Sequence, residues 1–122
     1  MHQEMLRYIN IARVKAHLTP LVLNRKLSAG AYYKSRDMAV SQYFDHYSPT
    51  YGSPFTMMKH WGIQFHSAAE NIAVNRSIKS AHKSLMKSPG HRANILNPEY
   101  GEVGLGFYRQ GSCLYITQWF ID

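Results

Sequence analysis

Seven histidines and seven acidic residues are the side chains best able to bind a metal, move a proton or hold a polar ligand in this chain, and a few of them stand where turns and strands begin. His46 lies one helical step beyond a stripe formed by Ala31, Tyr32, Ser35, Met38, Ala39, Gln42 and Tyr43, so it is expected to close that helix on its inward side. His91 comes third after Ser88, with Pro89 between them, and Ser-Pro is a favoured helix start. The dipole of a helix start disfavours an extra positive charge, which keeps the imidazole neutral and free to coordinate a metal or accept a proton. Glu70 and Glu102 each head a candidate strand, where sheet and loops meet.

Each histidine also has a plainer reading: His46 as a hydrogen-bonded helix end, His91 as a helix-start residue held by backbone contacts. His2, His17, His60, His66 and His82 lack comparable turn chemistry and read as surface or boundary residues, with His82 the one to follow. Cys113 is the only cysteine, which excludes an internal disulfide and a thiolate-rich zinc site; beside a strand it reads as a small hydrophobe. No G-x-S-x-G elbow or H-E-x-x-H helix occurs, and the glycines of Gly101 to Gly106 alternate as in a strand, which argues against a nucleotide cofactor.

The elements that must position these residues follow from periodicity. Met5, Tyr8, Ile9, Ala12 and Ala16 mark a first helix over residues 4–18, ended by Thr19-Pro20. A second helix is expected from a Ser28 N-cap, a short one over 55–61 stopped at Gly62, a fourth capped by Ser77, and a fifth from Ser88-Pro89 to a stop before Asn97-Pro98. Period-two alternation marks strands at 70–74, 102–108 and 114–120, the last two joined as a hairpin through Arg109-Gln-Gly-Ser112. Gly104 and Gly106 share a strand face with Glu102 and leave room for a close backbone. Helices followed by a small antiparallel sheet of about three strands make an α+β fold, and 122 residues suit a single domain over 1–122.

Fourteen Lys and Arg against seven Asp and Glu leave a charge of +7, which favours anionic polymers, teichoic acids or acidic lipid surfaces. The basic residues are scattered and accompany no nucleic-acid-binding motif, so no specific nucleic acid is expected. With 45% hydrophobic residues the chain can bury a core, yet no apolar run reaches the roughly eighteen residues of a membrane span. The opening residues have no signal-peptide centre, so an exported parent would make this a mature or excised fragment.

Four ordered motifs then carry a resemblance: Tyr43-Phe-Asp-His46-Tyr-Ser-Pro49, Ala69-Glu-Asn-Ile-Ala73, Ser88-Pro-Gly-His91-Arg-Ala-Asn-Ile-Leu96 and Glu102-Val-Gly-Leu-Gly106. Together with Ile9 to Arg13, Pro20-Leu21 and Tyr115 to Gln118, they resemble the CAP superfamily (cysteine-rich secretory proteins, antigen 5, pathogenesis-related 1) in its short bacterial SCP-like branch. The resemblance implies an α-β-α sandwich, an extracellular or cell-envelope location, and a cleft where His46, His91 and Glu70 converge. The acidic residue that larger relatives carry before the second histidine is missing from Leu85-Met-Lys-Ser88, and Glu102 is the expected substitute. The function so implied is a monomeric ligand-binding module for an envelope glycan, peptide, lipid or protein. The alternative is a hydrolase of peptide or cell-wall glycan, with a weakly bound divalent ion, zinc foremost, on His46 and His91 and Glu70 or Glu102 as general base.

Overall fold

The computed structural model describes all 122 residues. It contains α1 (His2–Lys15), β1 (Val22–Leu23), α2 (Arg25–Val40), α3 (Pro54–His60), β2 (Ala68–Asn75), α4 (Ile78–Lys87), α5 (Pro89–Ile95), β3 (Glu102–Gln110) and β4 (Cys113–Ile121). The sheet has four strands in the order β1-β3-β4-β2, not about three. The additional strand, β1, is only Val22 and Leu23, paired parallel with Glu102 and Val103, and two residues are too few to show alternation. β2, β3 and β4 pair antiparallel, as their period-two patterns predict, and Gly111 turns the hairpin at φ +62°.

Helices cover both faces of this sheet, giving the expected α-β-α layering. On one face α1, α4 and α5 bury Met5, Ile9, Ile78, Ala81, Leu85 and Ile95 against Val103, Leu105, Phe107, Ile116 and Phe120. On the other, Leu27 and Ala31 of α2 and Met57 and Met58 of α3 enclose Trp119 and Ile121. Fully burying one such side chain contributes about 1.5–3 kcal/mol, so both layers are held mainly by apolar contact.

α2 lies directly on β3 because β3 has no side chain there. A Cβ on Gly104 would stand 2.5 Å from the Leu27 carbonyl carbon, and one on Gly106 would stand 2.1 Å from that of Ala31. Two boundaries differ from expectation. α2 starts before Ser28, capped by the Asn24 side chain, which accepts from the Leu27 amide; the Ser28 hydroxyl instead accepts from the Leu105 amide on the sheet. α1 ends at Lys15, short of Leu18, and His17 then takes φ 61°.

Candidate functional site

His46 does not end a helix. α2 stops at Val40, Gln42 turns the chain at φ 57°, and His46 lies in the loop that comes back along the helix. It is brought to β2 by a side-chain contact: its Nδ1 donates to Glu70 Oε1 at 2.7 Å. The second oxygen of Glu70 accepts from the Trp119 indole Nε1 at 2.8 Å, so a carboxylate side chain only 1% exposed is satisfied at both oxygens. Trp119 is the direct partner of Glu70 across the β2–β4 ladder, which places both on the α2 face of the sheet.

His91 sits in the first turn of α5, as the Ser88-Pro89 start predicts, but Ser88 does not cap the helix backbone. Its hydroxyl lies 2.8 Å from His91 Nδ1 and holds the ring instead. The backbone of His91 is held by Asn71, whose Nδ2 donates to the His91 carbonyl at 3.1 Å and also to Gln118 Oε1 at 3.1 Å. Asn94 in turn donates to Asn71 Oδ1 at 2.8 Å. Adjacent residues of one strand point to opposite faces, so Glu70 reaches the α2 layer and Asn71 the α1-α4-α5 layer. Each ties one histidine to β2, the strand that ends the sheet's order.

Both Nδ1 atoms are thus engaged, while neither Nε2 has a partner within the protein. The electrostatics of the rings diverge. The hydrogen bond to Glu70 raises the His46 pKa above the ordinary histidine value against the opposing effect of burial. Burial, helped by the nearby His46 charge, pushes His91 down. The His46 ring is thus close enough for its charge to bear on His91.

Glu102 does not join them. It faces the same side of the sheet as Glu70, but β4 lies between and the register is offset by two residues, so sheet spacing puts their Cα atoms roughly 12 Å apart. Asn24 Nδ2, at the start of α2, donates to Glu102 Oε1 at 3.1 Å, and the indole of Trp119 packs between α2 and Glu70. The expected substitute acid therefore braces the α2 cap, away from both imidazoles. No three His, Cys, Asp or Glu side chains gather closely enough to form a metal-ligand set.

Trp119, Asn71 and Lys34 are the site-supporting residues that the sequence did not single out. Lys34 carried a usable signal: a charged residue three positions after Ala31 and four before Met38, on the inward stripe of α2. Cys113 is exposed at the hairpin, away from the site. Cavities of about 480 and 450 Å³ lie elsewhere, the first lined by Tyr8, His82, Met86 and Arg92, the second by Leu23, Arg25, Tyr32 and Tyr33; neither includes His46, Glu70 or His91. We place the site by its convergent polar chemistry, since the histidines stand at an open sheet margin that encloses little volume.

Comparison with known proteins agrees with this architecture. Residues 6–121 match the family model described as CAP, cysteine-rich secretory protein family. This chain belongs to the CAP family. Its CAP domain is 45% identical to the Bacillus subtilis protein YkwD over 120 residues, which are 98% of this chain and 46% of that protein. A crystal structure of an extracellular protein containing an SCP domain from Bacillus anthracis superposes with a TM-score of 0.91 at 32% identity, over 98% of this chain and 39% of that one. An outer surface protein of Borrelia burgdorferi shares the fold, with a TM-score of 0.91 at 15% identity over 99% and 91% of the two chains. The chain thus spans less than half the length of both Bacillus relatives. No helix is long and apolar enough to cross a membrane.

Proposed function

We propose that this CAP domain is an extracellular or cell-envelope ligand-binding module, with its binding cleft at the β2 margin between His46 and His91. The observation that carries this reading is the double engagement of Glu70, whose oxygens accept from His46 Nδ1 at 2.7 Å and Trp119 Nε1 at 2.8 Å. A carboxylate so occupied orients an imidazole; it is poorly placed to take a proton from water. With Nδ1 tied down, His46 presents Nε2 to a ligand, the arrangement in which a carboxylate backs a metal-binding histidine.

Two imidazole nitrogens would hold a divalent cation such as zinc only weakly, with water or a ligand group completing its shell. They fall short of the three protein ligands usual for catalytic zinc. Binding, not hydrolysis, is therefore the function we assign. The +7 charge favours retention against an anionic envelope polymer, and the extracellular description of the Bacillus anthracis relative supports the location.

Calorimetric zinc titration tests the site. The expected result is weak, reversible binding that is abolished by His46→Ala and by His91→Ala, falls about 10- to 100-fold in Glu70→Gln, and fades on acidification from above the ordinary histidine value of about 6.5, because the Glu70 contact raises the His46 pKa. Unchanged affinity in both histidine variants would remove the ligand pair. Turnover of peptidoglycan or peptides by the wild type, abolished in Glu70→Gln, would replace the binding reading with a hydrolase using Glu70 as base.

A further inference from the structure

Lys34 is 1% exposed, yet it forms no ion pair. Its ammonium donates to the His46 carbonyl at 2.7 Å, the Asp45 carbonyl at 2.8 Å and the Tyr43 hydroxyl at 3.4 Å, and lies 5.0 Å from the Tyr43 ring centroid. All three ammonium protons therefore go to the returning loop. Burying a lysine is costly, and a well-packed apolar side chain is often as stable in such a place. Stability alone does not account for a cation here.

Asp37, one turn further along α2, accepts from the hydroxyls of Tyr43 and Ser48. The loop thus has two attachments with different destinations. Asp37 secures residues 43 and 48, on either side of the histidine, whereas Lys34 alone reaches the peptide carbonyls of Asp45 and His46. Burial pushes the Lys34 pKa below the ordinary lysine value, and the nearby charges of Glu70, Asp37 and Asp45 act against that shift.

We propose that Lys34 is the positioning residue of the cleft: by holding the Asp45 and His46 carbonyls it sets the His46 ring against Glu70 and directs Nε2 outward. Lys34 touches no ligand and acts through His46, and its effect on zinc rests on the reading of His46 and His91 as the binding pair. The positioning itself does not depend on that reading.

The test is nitrogen-15 NMR of the imidazoles at one fixed pH in the metal-free protein, followed by zinc titration. Wild type should show His46 with a protonated Nδ1 hydrogen-bonded to Glu70. Lys34→Met should lose that signature while the His91 signals stay in place, and zinc affinity should fall about tenfold or more. Tyr43→Phe, which removes a loop attachment but leaves both carbonyl bonds, should lower the unfolding midpoint and preserve the His46 signature.

An unchanged His46 signature in folded Lys34→Met would overturn the proposal, as would equal loss of it in Tyr43→Phe. Should Lys34→Met fail to fold, Lys34→Leu, which is shorter and likewise removes every donor, takes the same measurement, and the same two results count for and against. Loss of the signature in a protein whose wild type binds no zinc would uphold the positioning role and reject the metal reading, so the two failures are distinguishable.

Discussion

The two histidines of the candidate site are held by opposite chemistries although their holders are neighbouring residues of one strand. On the α2 side, ionisable groups do the holding: Glu70 takes the His46 ring and Lys34 its backbone. On the α5 side, neutral groups do it: Ser88 takes the His91 ring and the amide chain Asn94, Asn71 and Gln118 secures its backbone. The buried cation on that side bonds no part of His91. Arg13, 1% exposed, donates to the carbonyls of Thr19, Ile95, Asn97 and Tyr100 and so fastens the far end of α5. Amides keep their hydrogen bonds at any ordinary pH, whereas a carboxylate-imidazole pair changes with protonation. The His91 half is a fixed wall, and the His46 half is the adjustable one.

The sharpest way to break this contrast is Asn71→Leu. Asn71 is fully buried, and its removal leaves the buried Gln118 Oε1 and the half-buried His91 carbonyl and Asn94 amide without their partner. Each buried group left unpaired costs about 1–3 kcal/mol, and partial relaxation makes a total loss of about 3 kcal/mol the expected outcome of urea unfolding. A loss below about 1 kcal/mol would show that the neutral network holds nothing firmly.

Glu70→Gln probes the other half through pH. The raised His46 pKa contributes stability that is complete below the unfolded histidine value near 6.5 and is lost as pH rises through the folded value. The lowered pKa values of His91 and His82 act in the opposite sense: their contribution is complete above about 6.5 and is lost as pH falls through their folded values. In the wild type these trends oppose each other between about pH 5.5 and 7.5. With glutamine at position 70 the first is reduced, so the unfolding free energy should decline more steeply on acidification than it does in the wild type. Proton NMR should show the His46 and His91 titrations moving toward each other. Identical pH slopes in the two proteins would mean that the Glu70 contact is too dynamic to bias His46.

Much of this contrast is legible in the residues themselves. The alternation at 70–74, 102–108 and 114–120 locates the three long strands, and Ser88-Pro89 places His91 in a helix start. Sequence and structure part where local pattern and tertiary contact diverge. The apolar stripe of α2 runs on through Gln42 and Tyr43 to His46, but Gln42 leaves helical geometry at φ 57° and the loop is held by Lys34 and Asp37 instead. Ser28 has cap chemistry, yet Leu105, 77 positions away, claims its hydroxyl. An acid at a strand start makes Glu102 look like a companion of the histidines; only the pairing order shows β4 and Trp119 standing between it and Glu70. Register and strand order are set by distant partners, and a linear pattern does not encode which face of which neighbour a strand will meet.

The smallest effect separates the stability of the His91 half from the proposed zinc binding. Gly90 precedes His91 in the first turn of α5, its φ is not in the left-handed region, and a Cβ there would meet nothing within 4 Å. Alanine restricts the unfolded chain more than glycine does and favours the helix, so Gly90→Ala should stabilise the domain by about 0.5–1 kcal/mol. Because Asn71 and Ser88 already fix His91, stiffening its helix should leave zinc affinity within about twofold of wild type. Tighter binding in step with the added stability would show that α5 moves in the free protein, and that the neutral half is a hinge instead of a wall.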